Sequence, residues 1–139
     1  ALRARARGAR VLLAEDNPVN QEVACELLNG VDIVPDLAVD GKQALALAGS
    51  RHYDVILMDV QMPEMDGLEA TARIRERERA SGSARLPIIA LTAHAMRGDE
   101  QRCLDAGMDG YVSKPLKPAE LFAAIARVTA PPASTSQVA

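Results

Sequence analysis

Tryptophan is absent, and one phenylalanine with two tyrosines brings the aromatic share to only 2%. So few rings exclude a base-stacking surface for single-stranded nucleic acid and a flavin clasped between aromatic side chains. Cysteine is equally scarce. Cys25 and Cys103 form no CxxC pair and have no histidine beside them, which argues against a zinc centre or a redox dithiol, and both are expected as reduced thiols. No apolar run approaches the roughly 18 to 20 residues of a membrane-spanning helix, and the amino terminus lacks a charged-then-apolar signal pattern. A soluble, cytoplasmic chain is expected, with no direct contact to membrane. A glycine-rich phosphate loop is missing too. Glu15-Asp-Asn-Pro-Val-Asn20 follows the first apolar run and presents negative charge where nucleotide-binding folds place glycine.

What is present suits one folded domain. The chain has 139 residues, 48% hydrophobic and 25% charged, enough apolar material for a core. Its formal net charge of −3 becomes −7 once Arg3, Arg5, Arg7 and Arg10 are set aside, so the part expected to fold is acidic. The basic start has no apolar anchor beyond Leu2 and reads as a solvated linker over residues 1–9. Residues 130–139, rich in Pro, Ser and Thr, read as a flexible tail. The domain between them spans 10–129, and the flanking composition suggests a piece of a longer polypeptide.

Short apolar runs at 11–14, 33–34, 55–58, 88–91 and 111–112 each precede a stretch of helical periodicity. The helices are predicted from Asn17-Pro18 through Leu28, then over 41–48, 68–79, 97–106 and 119–128, with Gly107 ending the fourth. Strands alternating with helices predict an α/β fold: a doubly wound, five-stranded parallel sheet covered on both faces. Pro35 falls in the predicted second strand, where a missing backbone donor is tolerated only at a sheet edge. The order 2-1-3-4-5 puts that strand at an edge. In such sheets ligands bind beyond the carboxyl ends of the strands.

Five polar residues follow those ends: Glu15 and Asp16 after the first strand, Asp59 after the third, Thr92 after the fourth and Lys114 after the fifth. Three carboxylates at one edge repel one another unless a divalent cation neutralises them. Oxygen donors without histidine or cysteine favour Mg²⁺ over Zn²⁺, with Mn²⁺ as its substitute. Neither His52 nor His94 is needed. Lys114 and Thr92, together with the cation, can neutralise the oxygens of a transferring phosphoryl group, with Asp59 as its nucleophile. Each residue alone has a plainer reading: Glu15-Asp16 as charge complementing a helix dipole, Asp59 and Thr92 as caps, Lys114-Pro115 as a turn. Their joint placement at the same ends of successive strands is the more specific signal.

The sequence resembles the receiver domain of two-component response regulators from about residue 10 to 128. The likeness rests on Val11-Leu-Leu-Ala-Glu-Asp-Asn-Pro-Val-Asn20, Val55-Ile-Leu-Met-Asp-Val-Gln-Met-Pro-Glu-Met-Asp-Gly67, Ile88-Ile-Ala-Leu-Thr-Ala93 and Gly110-Tyr-Val-Ser-Lys-Pro115. It implies a flavodoxin-like (βα)5 fold, Asp59 as phospho-acceptor, and Glu15 (through water), Asp16, Asp59 and the Gln61 carbonyl as Mg²⁺ ligands. It further implies Thr92 and Lys114 as the phosphoryl-binding pair, and Tyr111 as the aromatic that turns inward when Thr92 moves. Without its motif, Tyr111 reads as a half-buried strand residue. The DNPVN, MDVQMPEMDG and LTAHAM stretches resemble receivers of hybrid sensor kinases, whose parent chain can itself be membrane-attached. The implied partner is a histidine kinase core or a histidine-phosphotransfer domain, docking on the first helix and the loop after Lys114, and the implied state is a monomer or weak dimer with no direct nucleic-acid contact. The resemblance also implies a readout surface with Met96, Leu116, Leu121 and Phe122, although helical spacing favours Leu121 as core. Glu15, Asp32 and Pro35 depart from the common pattern, and Lys114-Pro115 is expected as a cis bond. Two other classes compete. An aspartyl-phosphate phosphatase usually has a second Asp where Gln61 stands, and a non-phosphorylated interaction module would usually have lost Asp59, Lys114 or the acidic pair.

Overall fold

The computed structural model describes residues 10–30, 33–60, 62, 65–82, 85–92, 97–113 and 116–129. Five strands, β1 (Val11–Ala14), β2 (Asp36–Ala38), β3 (Val55–Asp59), β4 (Ile88–Thr92) and β5 (Gly110–Ser113), alternate with α1 (Pro18–Asn29), α2 (Gly41–Ser50), α3 (Gly67–Ser81), α4 (Arg97–Ala106) and α5 (Pro118–Thr129). The sheet is parallel throughout, as the alternation predicts, and its order β2-β1-β3-β4-β5 is the expected one. Linker 1–9, tail 130–139, Asp32, Met96 and the Lys114-Pro115 bond lie outside the described residues.

Strand alternation divides the core into two layers. Leu13, Leu57, Ile89 and Leu91 face a layer completed by Ala24 and Leu28 of α1 and by Leu121 and Ile125 of α5. Leu12, Ile56, Met58 and Ala90 face the opposite layer with Ala44 of α2, Ala70 and Ile74 of α3 and Cys103 of α4. Leu121 is fully buried, in keeping with its helical spacing, and Leu116 and Phe122 pack against the same layer half-exposed. Both cysteines are free thiols, and burial raises the pKa of Cys25. No helix among the described residues is long and apolar enough to cross a membrane.

Local chemistry starts the helices where polar caps stand. Asn17 Oδ1 accepts from the Val19 and Asn20 N–H groups at 2.8 and 3.3 Å, with Pro18 pre-set for the first turn. Asp40 caps α2 through Gln43 N–H, and the Gln43 side chain accepts in turn from the N–H of Val39, one residue before the cap. Asp66 caps α3 through Glu69 N–H at 2.8 Å. Helix bounds differ from expectation by one or two residues, the ordinary fraying range.

The second strand is a correction. The apolar pair Ile33-Val34 suggested its position, but β2 begins at Asp36, so Pro35 precedes the strand instead of lying within it. Ile33 is buried for a different reason: its N–H donates to the Leu28 carbonyl at 3.0 Å, folding the segment back beneath α1. Val34 is 83% exposed. Because β2 is an edge, its Asp36 and Leu37 remain partly in solvent and carry a weak hydrophobic signal.

Candidate functional site

Parallel pairing brings the carboxyl ends of β1, β3 and β4 to one edge. Ala14 pairs with Met58 and Asp59 with Leu91, which sets Glu15, Asp59 and Thr92 side by side. Asp59 and Thr92 are the last residues of their strands, one position further inside than the sequence suggested. Among the described residues, Glu15, Asp16 and Asp59 form the one group of three able to hold a metal ion, with a carboxylate oxygen from each lying within 4.8 Å of the others. Glu15 and Asp59 are buried and Asp16 is exposed, so the cluster opens to solvent on one side.

The backbone holds these side chains in place. Glu15 N–H donates to the Ala38 carbonyl at 2.9 Å, continuing the ladder between β1 and β2. Its carboxylate accepts from Asn17 N–H at 3.1 Å, and its carbonyl accepts from the Gln21 side chain at 2.6 Å. Gln21 is therefore a positioning residue that the motif reading missed, because no short-range pattern announces a bond from a helix's first turn back to the preceding strand. Beyond Asp59, Val60 N–H donates to Leu91 and Gly67 N–H closes the loop onto Val60. A Cβ at Gly67 would lie 2.2 Å from the Asp59 carbonyl oxygen, so only glycine lets α3 start this close to the acidic cluster.

Thr92 is 6% exposed and pairs with Ser113, the residue before Lys114. Tyr111 pairs with Ala90 in β5 and packs half-buried against the α3 and α4 layer. Lys114, Gln61 and His94 lie outside the described residues. His52 sits at the opposite end of the sheet, just before β3, and has no part in this cluster.

The donors are all oxygens, from three carboxylates, with no nitrogen or sulfur among them. That chemistry fits a small hard cation such as Mg²⁺ or Mn²⁺ and fits Zn²⁺ poorly.

The model of the response regulator receiver domain matches residues 11–126, from the first residue of β1 to within α5. The chain belongs to the response regulator receiver domain family. Among curated relatives, the receiver is 50% identical over 123 residues to hybrid signal transduction histidine kinase I of Dictyostelium discoideum, covering 84% of this chain and 7% of that protein. It thus spans a small fraction of that relative. Among solved structures it is 45% identical, with a TM-score of 0.79, to the receiver domain of a sensor histidine kinase from Pseudomonas aeruginosa with magnesium coordinated in its active site cleft, covering 88% of this chain and 98% of that one. It is 30% identical, with a TM-score of 0.83, to the Saccharomyces cerevisiae receiver domain of Ssk1 crystallised with the histidine phosphotransfer protein Ypd1; the coverage is 87% of this receiver and 88% of that chain.

Proposed function

We propose that this receiver accepts a phosphoryl group on Asp59 from the phosphohistidine of a histidine kinase core or a histidine-phosphotransfer domain. The observation that carries this reading is the convergence of the Glu15, Asp16 and Asp59 carboxylates within 4.8 Å at the carboxyl edge of the sheet. A carboxylate oxygen of Asp59 attacks phosphorus. The new P–O bond forms as the P–N bond breaks, and the electron pair of that bond stays on the imidazole nitrogen. Asp59 reacts as its anion, so no side-chain base has to remove a proton.

Glu15, Asp16, Asp59 and the Gln61 carbonyl would hold Mg²⁺ or Mn²⁺. When bound, the ion neutralises charge on the acidic cluster and on the phosphoryl oxygens. Thr92 gives its hydroxyl proton to one of those oxygens, and the Lys114 ammonium pairs with another. As Thr92 moves toward the phosphoryl group, Tyr111 turns inward and links phosphorylation to the β5 edge. To take a two-state equilibrium from mostly inactive to mostly active, these contacts supply on the order of 3 to 5 kcal/mol.

The domain runs over residues 10–129 between a basic amino-terminal segment and a carboxyl-terminal segment rich in Pro, Ser and Thr. It works on the cytoplasmic side as part of a hybrid histidine kinase, as a monomer or weak dimer, and does not itself turn over a substrate. The magnesium-bearing Pseudomonas receiver and the yeast receiver crystallised with its phosphotransfer partner support the cation and the donor. Incubation with Mg²⁺ and a small acyl phosphate should add one phosphoryl mass, absent in Asp59→Asn. An equal gain in that variant would remove Asp59 from the role.

A further inference from the structure

At the end of the sheet opposite the acidic cluster, a cleft of about 440 Å³ lies between the last turn of α2, the approach to β3, the carboxyl-terminal half of α3 and the segment leading into β4. Its apolar lining includes Ala48, Ile74, Leu86 and Pro87, and its polar lining includes three arginines, Arg51, Arg77 and Arg85, with His52. A volume of this size accommodates a small organic molecule.

The charges around it are not equally available. Of the two carboxylates in the lining, Glu78 is engaged from behind: its oxygens accept from Arg75 Nη1 at 2.9 and 3.1 Å and from Leu86 N–H at 2.8 Å. Asp54 accepts from Arg10 N–H at 2.8 Å. Arg51 is paired with Asp36, and Arg85 with Asp109. Arg77 differs. Among the described residues its guanidinium donates to the Leu45 carbonyl at 3.0 Å and meets no carboxylate. Gly49 lets it lie there, since a Cβ at that position would come within 2.0 Å of Arg77 Nη1. The cleft thus combines an apolar wall with a guanidinium that no carboxylate of the described residues contacts, and an exposed imidazole shares the lining.

We propose that this cleft binds a small phosphomonoester with a flat apolar body. The oxyanion accepts charge-assisted bonds from the remaining N–H groups of the Arg77 fork and a further bond from the His52 ring. The apolar body covers Ile74, Leu86 and Pro87. A cation is disfavoured because three arginines share the lining with the two carboxylates. The site is separate from the acidic cluster and stands or falls independently of phosphorylation at Asp59.

The test is an amide ¹H–¹⁵N titration of the 139-residue chain without magnesium, which keeps phosphate away from the acidic edge. Adenosine monophosphate, adenosine and inorganic phosphate are the three probes. Adenosine monophosphate should give saturable shifts at Gly49, His52 and Leu86, and each of the other probes should bind at least tenfold more weakly. Arg77→Ala and His52→Ala, both at exposed positions, should each weaken the nucleotide while leaving the rest of the spectrum in place. The proposal is overturned by no saturation up to about 10 mM, the millimolar edge of measurable affinity. It is equally overturned if adenosine or inorganic phosphate matches the nucleotide, or if both variants bind it unchanged.

Discussion

Arg75 Nε donates to the carbonyl of Gly107, 32 residues further along the chain, at 2.8 Å. The Arg75 guanidinium also reaches Glu78, the Leu86 carbonyl and Asp109, and the side chain is 5% exposed. Arg75 thereby ties α3 to the turn between α4 and β5, at the edge remote from the acidic cluster. Removing one partner from a buried ionic network leaves charge without compensation. Arg75→Met is expected to cost about 3 kcal/mol in urea unfolding. Arg73→Met, which breaks only the exposed pair with Glu69, should cost about 0.5 kcal/mol or less. Equal losses would mean that the network adds nothing.

Gly107 and Gly82 separate backbone strain from crowding. Both have positive φ, 106° and 71°, but a Cβ at Gly82 meets open space, whereas one at Gly107 would lie 2.8 Å from Arg75 Cγ. Gly82→Ala should cost about 1 kcal/mol, the usual penalty for alanine in the left-handed region. Gly107→Ala should cost clearly more, read as a lower thermal midpoint. A Gly107 variant as stable as the Gly82 variant would contradict the contact.

The Tyr53 hydroxyl donates to Asp36 Oδ2 at 2.7 Å and, with Arg51 after it, holds the Asp36 carboxyl below its ordinary pKa. A carboxyl lowered in the folded state contributes stability above about pH 4, lost as pH falls through its folded value. Burial, then the bond to Asp36, raises the pKa of Tyr53 itself, so that part is present below about pH 10 and lost as pH rises through the folded value. Tyr53→Phe should therefore be about 1 kcal/mol less stable near neutrality, where a hydrogen bond is lost. The gap should narrow toward both acid and alkaline limits. A pH-independent difference would detach the stability effect from this pair.

Gly67→Ala should disturb the acidic edge without altering any acidic residue, because the added methyl would press on the Asp59 backbone. We expect slower phosphorylation by acyl phosphate and an unfolding free energy lower by about 2 kcal/mol, in the range of overpacking. Normal phosphorylation kinetics would show that the loop absorbs the methyl at no cost to Asp59.

Asp16 is the exposed member of the acidic cluster. Asp16→Asn should weaken magnesium binding by about tenfold or more, measured by calorimetry, since hard cations depend on carboxylate charge. Chelation of the metal should likewise stop acyl-phosphate labelling of the unaltered chain. Unchanged affinity in Asp16→Asn would place the cation elsewhere.

Much of this was legible in the residues. The alternation of apolar runs with capped periodic segments requires a parallel α/β sheet, and Asn17-Pro18, Asp40 and Asp66 mark helix starts through local bonds alone. The second strand was misplaced because burial and strand pairing are different things. Ile33 is apolar because it enters the core beneath α1, while Asp36 and Leu37 pair at an edge that needs little hydrophobicity.

By itself, then, the order of residues determined the fold class and the positions of Glu15, Asp16, Asp59 and Thr92 at strand ends, because periodicity and capping act over short spans. Tertiary structure alone decided that three carboxylates approach within 4.8 Å, that Gln21 steadies Glu15, and that Arg75 finds partners 32 and 34 residues away. It also decided which arginines of the opposite cleft are already neutralised. Such facts depend on packing between distant elements, where the pairing of charges follows from geometry that no local pattern encodes.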